Sequence, residues 1–191
     1  MNLKNLKTDK SWTLFLDRDG VINRKIDNSY VMSWDDFDFI NGVKEAFSMM
    51  NHHFGRIIVI TNQQCIGKGL IDEEQIELIH NKMILEIARA GGRIDRVFFS
   101  PDVESPDLHD LPHDNVSRKP GIKMALQAKK EFPEIDFKKS IMVGDSYSDM
   151  LFGKRLGMKN VLIGENYTEN SEINELVSYK YISLKEFADD L

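Results

Sequence analysis

A chain of 191 residues, 41% hydrophobic and 29% charged, is long enough to bury a core and is expected to form one domain over 1–191. Its net charge of −6 argues against a nucleic-acid or anionic-membrane surface. No apolar run approaches the roughly 18 residues of a membrane helix. The opening Met1-Asn2-Leu3-Lys4 lacks a secretory apolar stretch, and Cys65 is the single cysteine, so a cytoplasmic protein without internal disulfides is expected.

Trp12-Thr13-Leu14-Phe15-Leu16 is an apolar, aromatic and β-branched run that reads as a buried strand. It stops at Asp17-Arg18-Asp19-Gly20, two carboxylates two residues apart at the strand's C-terminal end, where open parallel sheets bind ligands. Like charges that close repel unless a cation or a shared proton neutralises them. A few carboxylate oxygens on a tight turn suit Mg²⁺, which keeps several waters. The competing reading of the same residues is a solvated turn with Gly20 at positive φ.

Asn23 to Asp36 reads as a loop or small hairpin, and Asn41-Gly42 opens a helix with Val43, Ala46, Phe47 and Met50 on one face. His52-His53, at its end, are assigned to its last carbonyls. Arg56-Ile57-Ile58-Val59-Ile60 is a strand buried on both faces, ending in Thr61-Asn62-Gln63-Gln64. Asp72-Glu73-Glu74 starts a long helix with Ile76, Ile79, Met83, Ile87 and Ala90 on one face, and Gly91-Gly92 stops it.

Ile94 to Phe99 is a third strand, followed by a long proline-punctuated loop from Ser100 to Asn115. Arg118-Lys119-Pro120-Gly121 leads into a helix from Ile122 to about Phe132. Ser140 to Val143 is a fourth strand with Gly144-Asp145-Ser146 at its end, and a helix over Ser148 to Leu156 stops at Gly157. Asn160 to Gly164 is a fifth strand. Tyr181-Ile182 reads as an edge strand and Leu184 to Leu191 as a short helix. Strands alternating with helices give an α/β, doubly wound, Rossmann-like parallel sheet.

Such a sheet gathers Asp17, Asp19, Thr61, Asn62 and Asp145 at one edge, with Arg118 and Lys119 arriving from the loop before the fourth strand. Carboxylates for a cation, a hydroxyl and amide as hydrogen-bond donors, and a lysine for negative charge together suit phosphoryl transfer.

These residues resemble, in order and in setting, the four motifs of the haloacid-dehalogenase (HAD) superfamily of Mg²⁺-dependent phosphotransferases: Asp17-Arg18-Asp19-Gly20-Val21, Thr61-Asn62, Lys119-Pro120, and Gly144-Asp145 with Asp149. Within it, Ser29-Tyr30-Val31, Phe37 to Val43, Thr61-Asn62-Gln63, Ile66 with Gly69, and Arg118-Lys119-Pro120 are most similar to the D-glycero-D-manno-heptose-1,7-bisphosphate phosphatases, with the histidinol-phosphate phosphatases as near relatives. The resemblance implies Asp17 as nucleophile and Asp19 as general acid and base. It implies Thr61 as a phosphoryl ligand, Lys119 as a neutralising charge, and Mg²⁺ held by Asp17, the Asp19 carbonyl and Asp145. Asn62, Gln63, Gln64, Arg118 and Lys119 are assigned to substrate, Asp149 to support of Lys119, and no inserted cap domain is expected.

The chain departs from that family in one loop. Members typically carry a zinc site built from Cys-Pro-His and Cys-x-Cys elements ahead of Arg-Lys. The matching positions here read Ser100-Pro101-Asp102 and Asn115-Val116-Ser117. Without thiolates no structural zinc is expected. His109, His113 and Asp102 are better read as solvated loop residues than as a replacement site, and the loop that positions Arg118 needs another anchor or stays free to move. The expectation is a monomeric phosphatase of a small phosphorylated sugar, with a histidinol-phosphate or other small-metabolite phosphatase as the alternative. A non-catalytic phosphate-binding module is the reading from another class.

Overall fold

The computed structural model describes residues 7–109, 111–164 and 171–191. The opening Met1-Asn2-Leu3-Lys4 and the His109 side chain, both read above, lie outside it. Among the described residues six strands form one parallel sheet: β1 Thr13–Leu16, β2 Arg56–Asn62, β3 Arg96–Ser100, β4 Ser140–Gly144, β5 Lys159–Ile163 and β6 Tyr179–Tyr181. The order is β3-β2-β1-β4-β5-β6. The chain moves outward from β1 to β3, then returns to lay β4 on the other side of β1. That reversal opens a crevice at the carboxyl ends of β1, β2 and β4. Leu16 is level with Val59 on β2 and Val143 on β4, so the residues that follow these strands share one edge.

Alternation along each strand builds two cores. Leu14 and Leu16, Ile57 and Val59, and Ile141 and Val143 face one side. There they pack against residues of α1 Val43–His53, α3 Glu73–Arg89 and α7 Leu184–Asp189, among them Phe47, Met83 and Phe187. Phe15, Ile58, Ile60 and Met142 face the other, against Met124 and Ala125 of α4 Lys123–Glu131 and Phe152 of α5 Tyr147–Leu156. All of these side chains are fully enclosed, each stabilising the fold by roughly 1.5–3 kcal/mol where the side chain is large.

Several local features differ from expectation. β2 continues through Thr61 and Asn62, so both lie inside the strand. Of the two readings of the segment after β1 the loop holds, with only isolated bridges, Asp19 with Asn23 and Asn23 with Phe39, and a single 3-10 turn at Trp34–Asp36. Two short helices escaped the periodicity, α2 Gln64–Gly67 and α6 Ser171–Leu176. At the end of α1 the carbonyls of Asn51 and Phe54 accept from Lys10 and Arg93, a task the sequence assigned to His52-His53. Among the described residues there is no separate cap domain, and no helix is long and apolar enough to cross a membrane.

Candidate active site

A cavity of about 280 Å³ opens at the crevice, lined among others by Asp17, Asp19, Lys25, Thr61, Arg118 and Lys119. Its floor is an ion cluster. Lys119 is almost completely enclosed, and its Nζ lies 2.8 Å from Asp17 Oδ1 and 2.6 Å from Asp149 Oδ1. It donates a third bond of 2.8 Å to the Ile60 carbonyl. Burial alone would lower the Lys119 pKa, but Asp149 and Asp17 outweigh it and hold the ammonium above its usual value. Asp149 is placed by the start of α5, where its Oδ2 accepts from Ser146 N at 3.1 Å and Ser146 Oγ at 2.5 Å.

Burial pushes the Asp17 carboxyl up to about 7; Lys119 opposes this, and Asp149, Asp145 and Asp19 reinforce it. Burial and Asp149 also raise Asp145, against Lys25, whose Nζ lies 2.5 Å from Asp145 Oδ2. Asp145 Oδ1 is buried with no hydrogen-bond partner among the described residues. Asp17, Asp145 and Asp149 each offer an oxygen within 4.8 Å of the others. Three crowded carboxylates, with one orphaned oxygen, fit a small hard divalent cation. Asp19 is expected to reach the metal through its backbone carbonyl, and its carboxylate is not one of this group.

The Asp19 carboxylate instead faces Arg18, whose Nη2 donates to Oδ1 and Oδ2 at 2.9 and 3.0 Å. Asn23 Nδ2 donates to Oδ1 at 2.8 Å and Gln63 Nε2 to Oδ2 at 2.9 Å. Burial favours the neutral acid, yet Arg18, Asn23 and Gln63 together hold Asp19 below the usual carboxylate range. Arg18 is itself enclosed, and its Nη1 meets His80 Nε2 at 3.1 Å. Burial, then Arg18, push the His80 imidazole down to about 3. His80 is therefore neutral near pH 7, and Nε2 accepts from Arg18. Sequence reasoning passed over Arg18 as a functional side chain, and over His80 altogether. The available signal was a lone histidine within the Ile76, Ile79, Met83, Ile87 face of α3.

The other expected residues divide by what their side chains already hold. Thr61 Oγ1 accepts from Gln63 Nε2 at 2.8 Å on the cavity wall, so Gln63 ties Thr61 to Asp19. Asn62 spends both ends of its amide on the Lys119 backbone, accepting from its N at 2.9 Å and donating to its O at 3.2 Å. Gln64 donates to the Tyr30 hydroxyl at 3.1 Å, as does Lys68 at 2.7 Å. Arg118 reaches the Asp102 carbonyl at 3.3 Å and Glu104 at 3.1 Å. The cysteine-free loop has its own fastening: Ser117 Oγ lies 2.9 Å from Ser100 Oγ and donates a short bond to the Asp102 carboxylate. Two neutral hydroxyls and one carboxylate already bonded to each other do not fit zinc.

A family model described as HAD-hyrolase-like matches residues 116–191. The D-glycero-alpha-D-manno-heptose-1,7-bisphosphate 7-phosphatase of Campylobacter jejuni is 33% identical over 177 residues, covering 91% of this chain and 94% of that protein. The D-glycero-beta-D-manno-heptose-1,7-bisphosphate 7-phosphatase of Pasteurella multocida is 35% identical over 162 residues, covering 83% and 86%. A crystal structure of D,D-heptose 1,7-bisphosphate phosphatase from B. bronchiseptica, complexed with magnesium and phosphate, superposes with a TM-score of 0.75 at 25% identity, covering 93% of this chain and 96% of that one. Identity above 30% across nine-tenths of both chains, on a sheet edge that gathers Asp17, Thr61, Lys119 and Asp145, places this chain in the HAD-like phosphatases, in the family of the heptose-1,7-bisphosphate 7-phosphatases.

Proposed function

We propose that this chain is a Mg²⁺-dependent phosphoric monoester hydrolase that releases one phosphate from a D-glycero-D-manno-heptose 1,7-bisphosphate through an aspartyl-phosphate on Asp17. The observation that carries the reading is the ion cluster itself: Lys119 clamped between Asp17 and Asp149, with Asp145 within reach of both. The names of the relatives from Campylobacter jejuni and Pasteurella multocida support the substrate.

An Asp17 oxygen attacks phosphorus in line, forming the acyl-phosphate bond as the bond to the sugar oxygen breaks. Asp19 delivers a proton to that leaving oxygen, then takes one from the water that attacks the same phosphorus and regenerates Asp17. Its ionised, Arg18-held state suits the second half; to donate, it has to turn away from Arg18. Lys119 keeps Asp17 fixed and offsets charge on the phosphoryl oxygens, and Thr61, whose Oγ1 accepts from Gln63, keeps its hydroxyl proton to donate to them. Asp17 and Asp145 would hold the Mg²⁺, with the Asp19 carbonyl as the resemblance implies, while Asp149 stays with Lys119. When bound, Mg²⁺ supplies the positive charge that offsets repulsion between the carboxylates and the incoming phosphate. Arg118, at the cavity wall, contacts the second phosphate or a hydroxyl, and Gln64 lines the same approach. We read residues 1–191 as one domain, a cytoplasmic monomer that acts on no nucleic acid; the continuous sheet supports the single domain and the charge of −6 the absence of a nucleic-acid partner.

Release of inorganic phosphate from the α and β anomers of the bisphosphate, beside histidinol phosphate, tests the reading with Mg²⁺ and with EDTA. The bisphosphate turns over fastest, in one anomer, and only with Mg²⁺. Preference for histidinol phosphate would move the chain to the neighbouring activity, and no turnover of any substrate would leave a phosphate-binding module.

A further inference from the structure

Lys25 takes no part in the roles above. It lies in the polar segment between β1 and α1 with its side chain half exposed, yet its ammonium is 2.5 Å from Asp145 Oδ2. Gly20 makes this approach possible. A Cβ there would fall 1.9 Å from the same Asp145 oxygen and 3.1 Å from Lys25 Cε. The two cations of the cluster are held very differently. Lys119 is enclosed with three acceptors at 2.6–2.8 Å, two of them carboxylates, and has nowhere to go. Lys25 has one carboxylate, an exposed stem and an open cavity beside it.

A carboxylate can be neutralised by an ammonium or by a divalent cation, but the two cations repel each other when both crowd the same group. Mg²⁺ takes only a few carboxylate oxygens, with strict geometry, whereas a lysine is a point charge on a flexible four-carbon stem that can swing aside. We propose that Lys25 is a built-in competitor for the metal site. Its ammonium occupies Asp145 until Mg²⁺ enters, leaves as the ion binds, and holds the affinity for Mg²⁺ below what the carboxylates alone would give. This rests on the reading of Asp145 as a metal ligand.

Calorimetric titration of MgCl2 into the full chain without substrate tests it, with Lys25→Met, Lys25→Gln and Asp145→Asn beside the wild type. Both Lys25 variants bind Mg²⁺ roughly five- to tenfold more tightly, because a positive charge has been removed a few ångströms from the ion. Asp145→Asn loses most of the affinity. Unchanged or weaker binding in the Lys25 variants, with Asp145→Asn impaired, overturns the competition and leaves the metal site standing. Wild-type affinity in Asp145→Asn removes that residue from the metal site and overturns both.

Discussion

The Lys119 ammonium has three donors and three acceptors, Asp17, Asp149 and the Ile60 carbonyl. Lys119→Met would leave two buried carboxylates without their cation, a loss of about 3–5 kcal/mol. It is expected to cut phosphate release by about 10²–10³-fold; a variant melting and turning over like wild type would contradict it. His80 makes a second, pH-dependent prediction. Its folded pKa near 3 lies below the ordinary 6.5, so its contribution to stability is complete above pH 6.5 and drains away as pH falls toward 3. At pH 5 the wild type should therefore have lost about 2 kcal/mol that His80→Gln does not lose. Melting curves at pH 7.5 and 5 check this, and equal losses in both proteins would show that the imidazole is not held neutral. Asp17, Asp19 and Asp145 were legible because their chemistry demands those types at strand ends. The Arg18–His80 contact was not, since it joins positions 62 residues apart through the interior.

At the scale of elements, the site is held by contacts that also build local structure. Asp149 closes the first turn of α5 with one oxygen and pairs with Lys119 through the other. The loop before α4 is fastened by Ser100, Ser117 and Asp102, and the Asp102 carbonyl in turn receives Arg118. Ser117→Ala leaves the Asp102 carboxylate without its donor and should cost about 1 kcal/mol. It should also raise KM more than it lowers kcat, because Arg118 loses its support. A zinc chelator should leave the melting temperature of the wild type unchanged; a fall would contradict the hydroxyl fastening. The long helices were legible from their apolar faces, and α3 even from its start, where Asp72 and Gln75 bond each other's backbone N–H. Helices of four and six residues, α2 and α6, are too short for a 3.6-residue period to register, and the Ser100–Ser117 bond left only a negative trace, the missing cysteines.

Across the whole molecule, strand order decides what the separate motifs can do together. β1 lies between β2 and β4, so stretches 44 and 128 residues further along the chain deliver Thr61 and Asp145 beside Asp17. The alternation of strands and helices made the parallel sheet legible, and the motifs at the strand ends marked one shared edge, but the strand order itself came only from the structure. The distance of Lys25 from Asp145 did not, for a polar loop carries no periodic signal. The crowding at this edge also links metal to pH. The raised Asp17 pKa means that the metal-free fold is favoured below pH 4 and loses that contribution as pH rises through about 7. Mg²⁺, which needs ionised ligands, should therefore raise the melting temperature more at pH 8 than at pH 5. An increment that shrinks with rising pH would contradict it.

The most direct measurement is the Mg²⁺-dependent turnover of Asp17→Asn on the heptose bisphosphate, with folding checked by its melting curve. The amide is nearly isosteric but a poor nucleophile, so a folded variant should lose at least about 10³-fold in kcat. A folded Asp17→Asn protein that releases phosphate at the wild-type rate would mean that another group accepts the phosphoryl.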